Sequence, residues 1–480
     1  MKKNIFKILI FTLILVLCLN YVDSMLRYKF YDGIYHLDKF YEQEESNVDV
    51  LVLGSSHAFG DVNPAILYRH YGIAAYDLCA SGQALWNTYY YFKEALKTQK
   101  PKLVILEAYR VCETQEYMDD SRIIKSNFGL KLSKDKIDSI KVSTSKEKWT
   151  HFLTEWIHYH SRYESISKED FYGYPSEGAG SIDAQNWKGF VNYLGTTECV
   201  EPSVDENVIE DLPEKSEVYY RKIIELAQEN EIPLLIIVSP YSSYNQFEAG
   251  KYNMASKIAE EYGVPFINFN NSYEAMQLDF STDFHDHSHL NYKGSEKYTS
   301  LLGEYIVKNY QIPDRRNEAE YYTWELNAQY YERTIESLAW KKIVDLSQYI
   351  ERMEEYQQDY LYIVSLTGQY EDNENINQVQ EFAGGEFMVF VKSEGEINYM
   401  EQKQEGYFHH IELDNSDLAV KGQLVADSTG VSVHEQSIVI DRVEQIKVKN
   451  GINIVVWDNF MGEVVDCVGF DAKNNYQAIR

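Results

Sequence analysis

Between Val48 and Tyr310 the chain repeats one pattern: a short, strongly apolar run, then a helix-length amphipathic segment. The runs are Val48–Leu53 (VDVLVL), Ala74–Ala80, Lys102–Ala108 (KLVILEA), Leu234–Ser239 (LLIIVS) and Val264–Phe269 (VPFINF). The segments between and after them, Pro64–Tyr71, Leu85–Thr98, Pro213–Asn230, Phe247–Tyr262 and Tyr292–Tyr310, read as helices. A run that is apolar at consecutive positions is buried on both faces, as happens in a parallel sheet covered by helices on either side. The expectation is therefore an α/β fold: a three-layer, mostly parallel sheet of flavodoxin-like type. The rhythm breaks between residues 133 and 211. There an aromatic helical stretch (WTHFLTEWIHYHSRY) precedes the Gly-rich FYGYPSEGAG. That segment reads as an insertion, of the sort that forms a lid or substrate-binding cap.

The chain is too long, at 480 residues, for one hydrophobic core. Residues 315–356 are polar and helical and read as a connector. From about residue 357 the pattern changes to short β-like runs: LYIVSL, EFMVFVK, YFHHIEL, SIVID, QIKVK, INIVVWD and EVVDCVGF. These predict a C-terminal antiparallel β domain over 357–480. At the other end, Ile5–Val22 holds a single charge, Lys7, behind Lys2 and Lys3. That is just long enough to span a bilayer, and no small-x-small cleavage site follows, so residues 1–22 read as a retained single-pass anchor. The basic flank predicts a cytoplasmic start, with the α/β domain (23–314) and everything beyond it outside the cell.

The formal charge of −30 repels phosphate backbones and argues against a nucleic-acid partner. The five cysteines form no C-x-x-C pair and read as free thiols. The 41 tyrosines are expected to sit half-buried over the surface, with an aromatic sugar-binding cleft as the alternative. No cofactor motif is present and no cofactor is expected.

Two motifs carry chemistry. Leu53-Gly54-Ser55-Ser56-His57 directly follows the first apolar run. A serine on a sharp strand-to-helix turn exposes its hydroxyl, and its own N–H can help to hold an oxyanion. Asp286-His287-Ser288-His289-Leu290-Asn291 lies just before the last helix. The Asp-x-x-His spacing lets one loop present a carboxylate that orients an imidazole, which in turn takes a serine proton. Each motif alone has a plain structural explanation, a turn in one case and a helix capped by Asn291 in the other. Together they occupy the ends of elements in one α/β unit, where such folds build their sites.

On these residues the chain resembles the SGNH, or GDSL-like, hydrolase superfamily over roughly Val48 to Tyr310. The resemblance implies a catalytic triad of Ser56, Asp286 and His289. It also implies an oxyanion hole from the N–H groups of Ser56 and Gly82, the latter in Ala80-Ser81-Gly82-Gln83. One departure stands out. The family's Gly-x-Asn-Asp block after the third strand reads Glu107-Ala108-Tyr109-Arg110 here, without the asparagine. Tyr109, Arg110 and Gln83 are the alternatives for that donor. The departure resembles the membrane-anchored branch that acts on surface polymers, which works beside a membrane-bound O-acyltransferase. The implied activity is serine acyl transfer, as esterase or O-acyltransferase, on hydroxyls of an exported polysaccharide or other acylated polymer. The alternative is a decayed hydrolase fold that binds glycan or a membrane partner.

Asp283, His285, Asp286, His287 and His289 also form a dense cluster, and a zinc site is the competing reading; the preferred one assigns no metal. His57 reads as a wall of the site. Near the C-terminus, Gly451-Ile452-Asn453-Ile454 followed by Gly462-Glu463-Val464 and Phe470-Asp471 predicts a hairpin turning near 459–462. By pattern this module resembles the interleukin-like epithelial–mesenchymal inducer domain, which implies saccharide binding or a structural role.

Overall fold

The computed structural model describes residues 2–28, 30–166, 170–171, 187–205, 207–368, 373–401, 406–413, 416–426, 432–440 and 443–480. Two compact units divide the chain, Met1–Gln329 and Tyr330–Arg480.

The first unit is built on a five-stranded parallel sheet. Its strands are β1 (Val50–Gly54), β2 (Ala75–Cys79), β3 (Leu103–Glu107), β4 (Leu234–Val238) and β5 (Phe266–Asn268). The order across the sheet is β2-β1-β3-β4-β5, and every pairing is parallel. Successive side chains enter opposite cores. Leu51, Leu53, Tyr76, Leu78, Leu106 and Ile236 pack on one face, and Val50, Val52, Ala75, Cys79, Ile105 and Ile237 on the other. Two buried faces are the physical reason these strands read as continuous apolar runs. The helices between them match the amphipathic segments. Pro64–Tyr71 has the expected bounds, with the Asn63 side chain accepting from the N–H groups of Ala65 and Ile66 and with Gly72 closing the helix in a left-handed conformation.

Tyrosine is a core residue here as well as a surface one. Tyr76, Tyr220, Tyr241 and Tyr252 are buried, and each phenol finds a partner: Tyr76 donates to the His36 carbonyl, Tyr220 to that of Ala255, and Tyr241 and Tyr252 bond to each other. This differs from the expected half-buried distribution. A buried phenol costs little once its hydroxyl is hydrogen-bonded.

At the N-terminus, helix Lys2–Leu26 is long and apolar enough over Ile5–Leu26 to cross a membrane. Most of its apolar side chains point away from the protein. Cys18 is exposed on this helix, Cys79 and Cys199 are buried, Cys112 and Cys467 are partly so, and all five are free thiols. Of the stretch read as an insertion, residues 172–186, including nearly all of FYGYPSEGAG, lie outside the described residues. Its aromatic helical part docks at the foot of the N-terminal helix: the Arg162 guanidinium donates to the carbonyls of Leu26 and Arg27, and Tyr159 packs edge-on against Tyr28, while Phe152 and Tyr159 join the core on one face of the sheet.

The second unit holds two antiparallel sheets. One has six strands in the order β15-β14-β13-β6-β7-β8: β6 (Tyr360–Thr367), β7 (Val389–Ser393), β8 (Glu396–Glu401), β13 (Gly451–Asp458), β14 (Glu463–Asp471) and β15 (Gln477–Ile479). The other has four, β12-β11-β10-β9: β9 (Gly406–Leu413), β10 (Ser416–Ala426), β11 (Ser432–Ile440) and β12 (Val443–Glu444). The hairpin formed by β13 and β14 matches the reading of its sequence, with Ile452, Ile454 and Val456 sharing one core. Two details differ. Helix Leu346–Glu355, inside the stretch read as a connector, buries Leu346, Tyr349, Ile350 and Met353 in that same core. QIKVK is not a strand: the N–H groups of Lys447 and Val448 donate to the Asn453 side chain instead of to a sheet neighbour. Local alternation cannot reveal that a buried asparagine has replaced a ladder.

Candidate active site

β1 ends at Gly54, and the chain turns at once into the short helix Ser56–Asp61. Gly54 has no room for a side chain, since a Cβ there would lie 2.8 Å from Cβ of Glu107 on neighbouring β3. That close approach permits the tight turn. Ser56 is the first helical residue, so its N–H belongs to the first turn and has no partner within the helix. The sheet order reverses between β1 and β3, and Ser56 therefore sits at the crevice where open parallel sheets bind ligands.

The loop 283–291 reaches the same point. Asn291 caps helix Tyr292–Asn309 by accepting from Lys293 and Gly294 N–H, and a bridge joins Phe284 to Leu290. The cap and the site are thus one construction. Nε2 of His289 lies 2.8 Å from Oγ of Ser56. Nδ1 of His289 lies 3.0 and 3.1 Å from the two carboxylate oxygens of Asp286. Oδ1 of Asp286 also accepts from the backbone N–H groups of Ser288 (2.7 Å) and His289 (2.9 Å). Burial raises the pKa of this carboxyl, but the bonds from the His289 ring and the two N–H groups outweigh it and hold Asp286 well below the usual carboxylate range. An ionised Asp286 keeps the proton of His289 on Nδ1 and leaves Nε2 as an acceptor facing the serine hydroxyl.

Gly82 lies beyond β2 with φ +62°, and a Cβ there would meet the Arg122 side chain at 2.8 Å. The turn carrying it is held by Asp32, whose Oδ2 accepts from Ser81 N–H at 2.7 Å and whose other oxygen pairs with Lys125. Of the three alternatives for a third donor, Gln83 is buried and donates to Thr88 Oγ1, and Tyr109 stacks face-on over His57 at 3.8 Å. Arg110 pairs with Glu113.

The histidine-rich loop spreads its side chains apart. Asp283 pairs with Lys297, and His285 stacks on Tyr193. Nδ1 of His287 faces Cys199 Sγ and Ser242 Oγ, while His289 faces Ser56. Among the described residues no three metal-ligating side chains converge on a point.

Several residues around the site give no signal in the sequence. Asp61 is fully buried. Its Oδ1 accepts from Leu290 N–H, tying the helix that begins at Ser56 to the histidine loop, and its Oδ2 lies 3.9 Å from His57 Nδ1. Burial pushes the Asp61 carboxyl well up and the His57 imidazole well down. Glu107, at the end of β3, accepts from the N–H groups of Tyr109 and Ser239, and burial raises it to about 8. The ring of Tyr193 borders His289 at 5.3 Å. It lies in a stretch without regular periodicity, which gave no local signal for it.

No family model and no curated protein matches the chain. Among solved structures it is similar to a protein from Desulfitobacterium hafniense described as lipolytic and of the G-D-S-L family, at 13% identity over 55% of this chain and 99% of that one, with a TM-score of 0.28. It is also similar to a GDSL-like lipase from Bacteroides thetaiotaomicron, at 11% identity over 58% and 98% with a TM-score of 0.30. An acylhydrolase from Bacteroides fragilis aligns at 12% identity over 57% and 94%, with a TM-score of 0.29. At such identities the likeness concerns the fold alone.

Proposed function

We propose that this chain is a membrane-anchored serine acyl-transfer enzyme. It acts as esterase or O-acyltransferase on hydroxyls of an exported polysaccharide or other acylated polymer. The observation that carries the reading is the 2.8 Å approach of His289 Nε2 to Ser56 Oγ, with Asp286 behind the imidazole. In this mechanism Ser56 Oγ attacks the acyl carbonyl while its proton passes to His289 Nε2. The N–H groups of Ser56 and Gly82 hold the oxyanion, and Asp286 stabilises the imidazolium. The leaving alcohol takes the proton from His289, which leaves an acyl ester on Ser56. Water or an acceptor hydroxyl, deprotonated by His289, then releases the acyl group. No step requires a cofactor. The apolar N-terminal helix supports a single-pass anchor, and its basic flank supports an extracytoplasmic catalytic unit; a membrane-bound O-acyltransferase is the partner proposed for it.

The test is labelling of the full-length protein by a fluorophosphonate. The expected result is one label on Ser56, abolished in Ser56→Ala and in His289→Ala. A wild-type protein that stays unlabelled, while folded by circular dichroism, refutes the enzyme and leaves a glycan- or partner-binding module. Acyl release to water against transfer to an added oligosaccharide distinguishes esterase from transferase.

A further inference from the structure

The foot of the N-terminal helix has a second apolar and basic surface beside it, which the chemistry above does not use. The helix axis advances about 1.5 Å per residue, so Arg27 lies about 7 Å beyond Val22. That is the depth of a lipid headgroup layer if the apolar run fills the hydrocarbon. Residues 149–166 are fixed at this level by the bonds from Arg162 to the Leu26 and Arg27 carbonyls, and by Tyr28, whose hydroxyl donates to the His158 carbonyl. This segment displays Leu153, Trp156, Ile157 and Tyr163 to the outside, with Trp156 at 47% and Tyr163 at 64% exposure. Phe152 and Tyr159 of the same segment are buried and Trp149 is partly buried, so the exposed set is one side of a folded element and not a loose loop. A groove of about 440 Å³ continues the surface, lined by Arg27, Lys131, Leu132 and Leu153 among others, with Leu132 86% exposed.

Charge points the same way. The chain carries −30 overall, yet Lys125–Lys148 contains seven lysines; Lys125, Lys134, Lys136 and Lys148 pair with Asp32, Asp138, Glu155 and Asp120, and Lys131, Lys141 and Lys146 stand outside those pairs. Lys131, Lys134, Lys146 and Lys148 are exposed. Exposed Trp and Tyr next to lysines, at the level where an apolar helix ends, match the chemistry of a bilayer interface: amphipathic rings among the headgroups and ammonium groups against lipid phosphates.

We infer that Leu132, Leu153, Trp156, Ile157 and Tyr163, with Lys131 and its neighbouring lysines, form an interfacial seat that rests the catalytic unit on an anionic phospholipid surface. The seat fixes the height and tilt of the active-site unit over the bilayer, which a single helix alone would leave free to swing. The inference rests on the anchor reading, and carbonate washing of membranes tests that reading separately: a protein removed by the wash has no spanning helix.

Tryptophan quenching reads the seat directly. Of seven tryptophans, Trp86, Trp187, Trp324, Trp340 and Trp457 are buried, Trp149 is partly buried and Trp156 is exposed. The full-length protein is reconstituted in vesicles of phosphatidylcholine with or without phosphatidylglycerol. Phosphatidylcholine brominated on its acyl chains is the quencher, since it acts only on contact. The expected result is quenching of the wild type that Trp156→Phe largely removes, stronger with bromine near the headgroup than deep in the chain. Hydrogen exchange over residues 128–136 and 149–159 is expected to slow when phosphatidylglycerol is added, and Lys131→Gln to reduce that effect. Quenching that is the same in Trp156→Phe and wild type overturns the seat. Exchange that ignores phosphatidylglycerol, with Trp156 quenching intact, overturns the anionic preference. Retention after carbonate washing alongside the first of these results leaves the anchor standing and removes the seat alone; alongside the second it removes the anionic preference alone.

Discussion

Replacing Asp286 by asparagine tests the mechanism most sharply, because it changes one atom and hardly any shape. In the wild type, Oδ1 accepts from Ser288 N–H and His289 N–H, and both carboxylate oxygens lie within 3.1 Å of His289 Nδ1. The Asn oxygen can keep the two backbone bonds. Its NH₂ group must then stand where Oδ2 stood and face Nδ1. Oδ1, at 3.0 Å, can still accept from Nδ1–H, but the NH₂ competes for that contact and favours the tautomer with the proton on Nε2, which donates to Ser56 Oγ and cannot accept its proton. In a fully enclosed triad the equivalent change costs about 10⁴ in rate. Asp286 is 49% exposed at its side chain, so water relieves part of the conflict. The expected loss in kcat is therefore about 10²–10⁴, or about 2.7–5.4 kcal/mol of barrier. The assay is p-nitrophenyl ester turnover by the full-length protein, with active sites counted by fluorophosphonate. Asp286→Asn with kcat within threefold of wild type, in a preparation where Ser56→Ala is inactive, would refute the assigned role of Asp286.

Gly82→Ala places a Cβ against Arg122 at a left-handed backbone position, so kcat is expected to fall about 10²–10³-fold with KM little changed, which steady-state kinetics will read. Thermal stability should also depend on pH through Glu107. Its folded pKa of about 8 is raised above the ordinary carboxylate value by burial, so its contribution is full at acid pH and is lost as pH rises through 8. Asp61 and Asp77 are shifted the same way and add to the slope, whereas Asp286 opposes it only in strong acid. The melting temperature is expected to fall between pH 5 and pH 9, and Glu107→Gln to flatten that decline; an equal slope in the variant would remove Glu107 as its source. In the second unit, the buried Asn453 accepts from Lys447 and Val448 N–H and donates to the Val448 carbonyl and Thr367 Oγ1, the last three bonds being buried. Asn453→Ala should destabilise that unit by about 3 kcal/mol in denaturant melts, each stranded polar group costing about 1–3 kcal/mol.

The sequence by itself determined the layered α/β unit, because strands buried on both faces must be apolar at every position and helices buried on one face must repeat near 3.6. It also exposed Ser56, Asp286 and His289, since the turn after a buried strand and the Asp-x-x-His spacing are local constraints. The helix at Leu346–Glu355 was legible as helical text but its burial was not, because its apolar positions find their core in strands far along the chain. Only the tertiary structure brought Asp61 to Leu290, Tyr109 over His57 and Tyr193 beside His289. Those contacts join segments up to 229 residues apart, and no local period records which distant surface a side chain will meet. The same holds for the aromatic segment at the foot of the N-terminal helix. Its text does not show that Arg162 and Tyr159 pack on Leu26–Tyr28. Spacing encodes the backbone's own geometry, whereas proximity across the fold is decided by how the finished layers close.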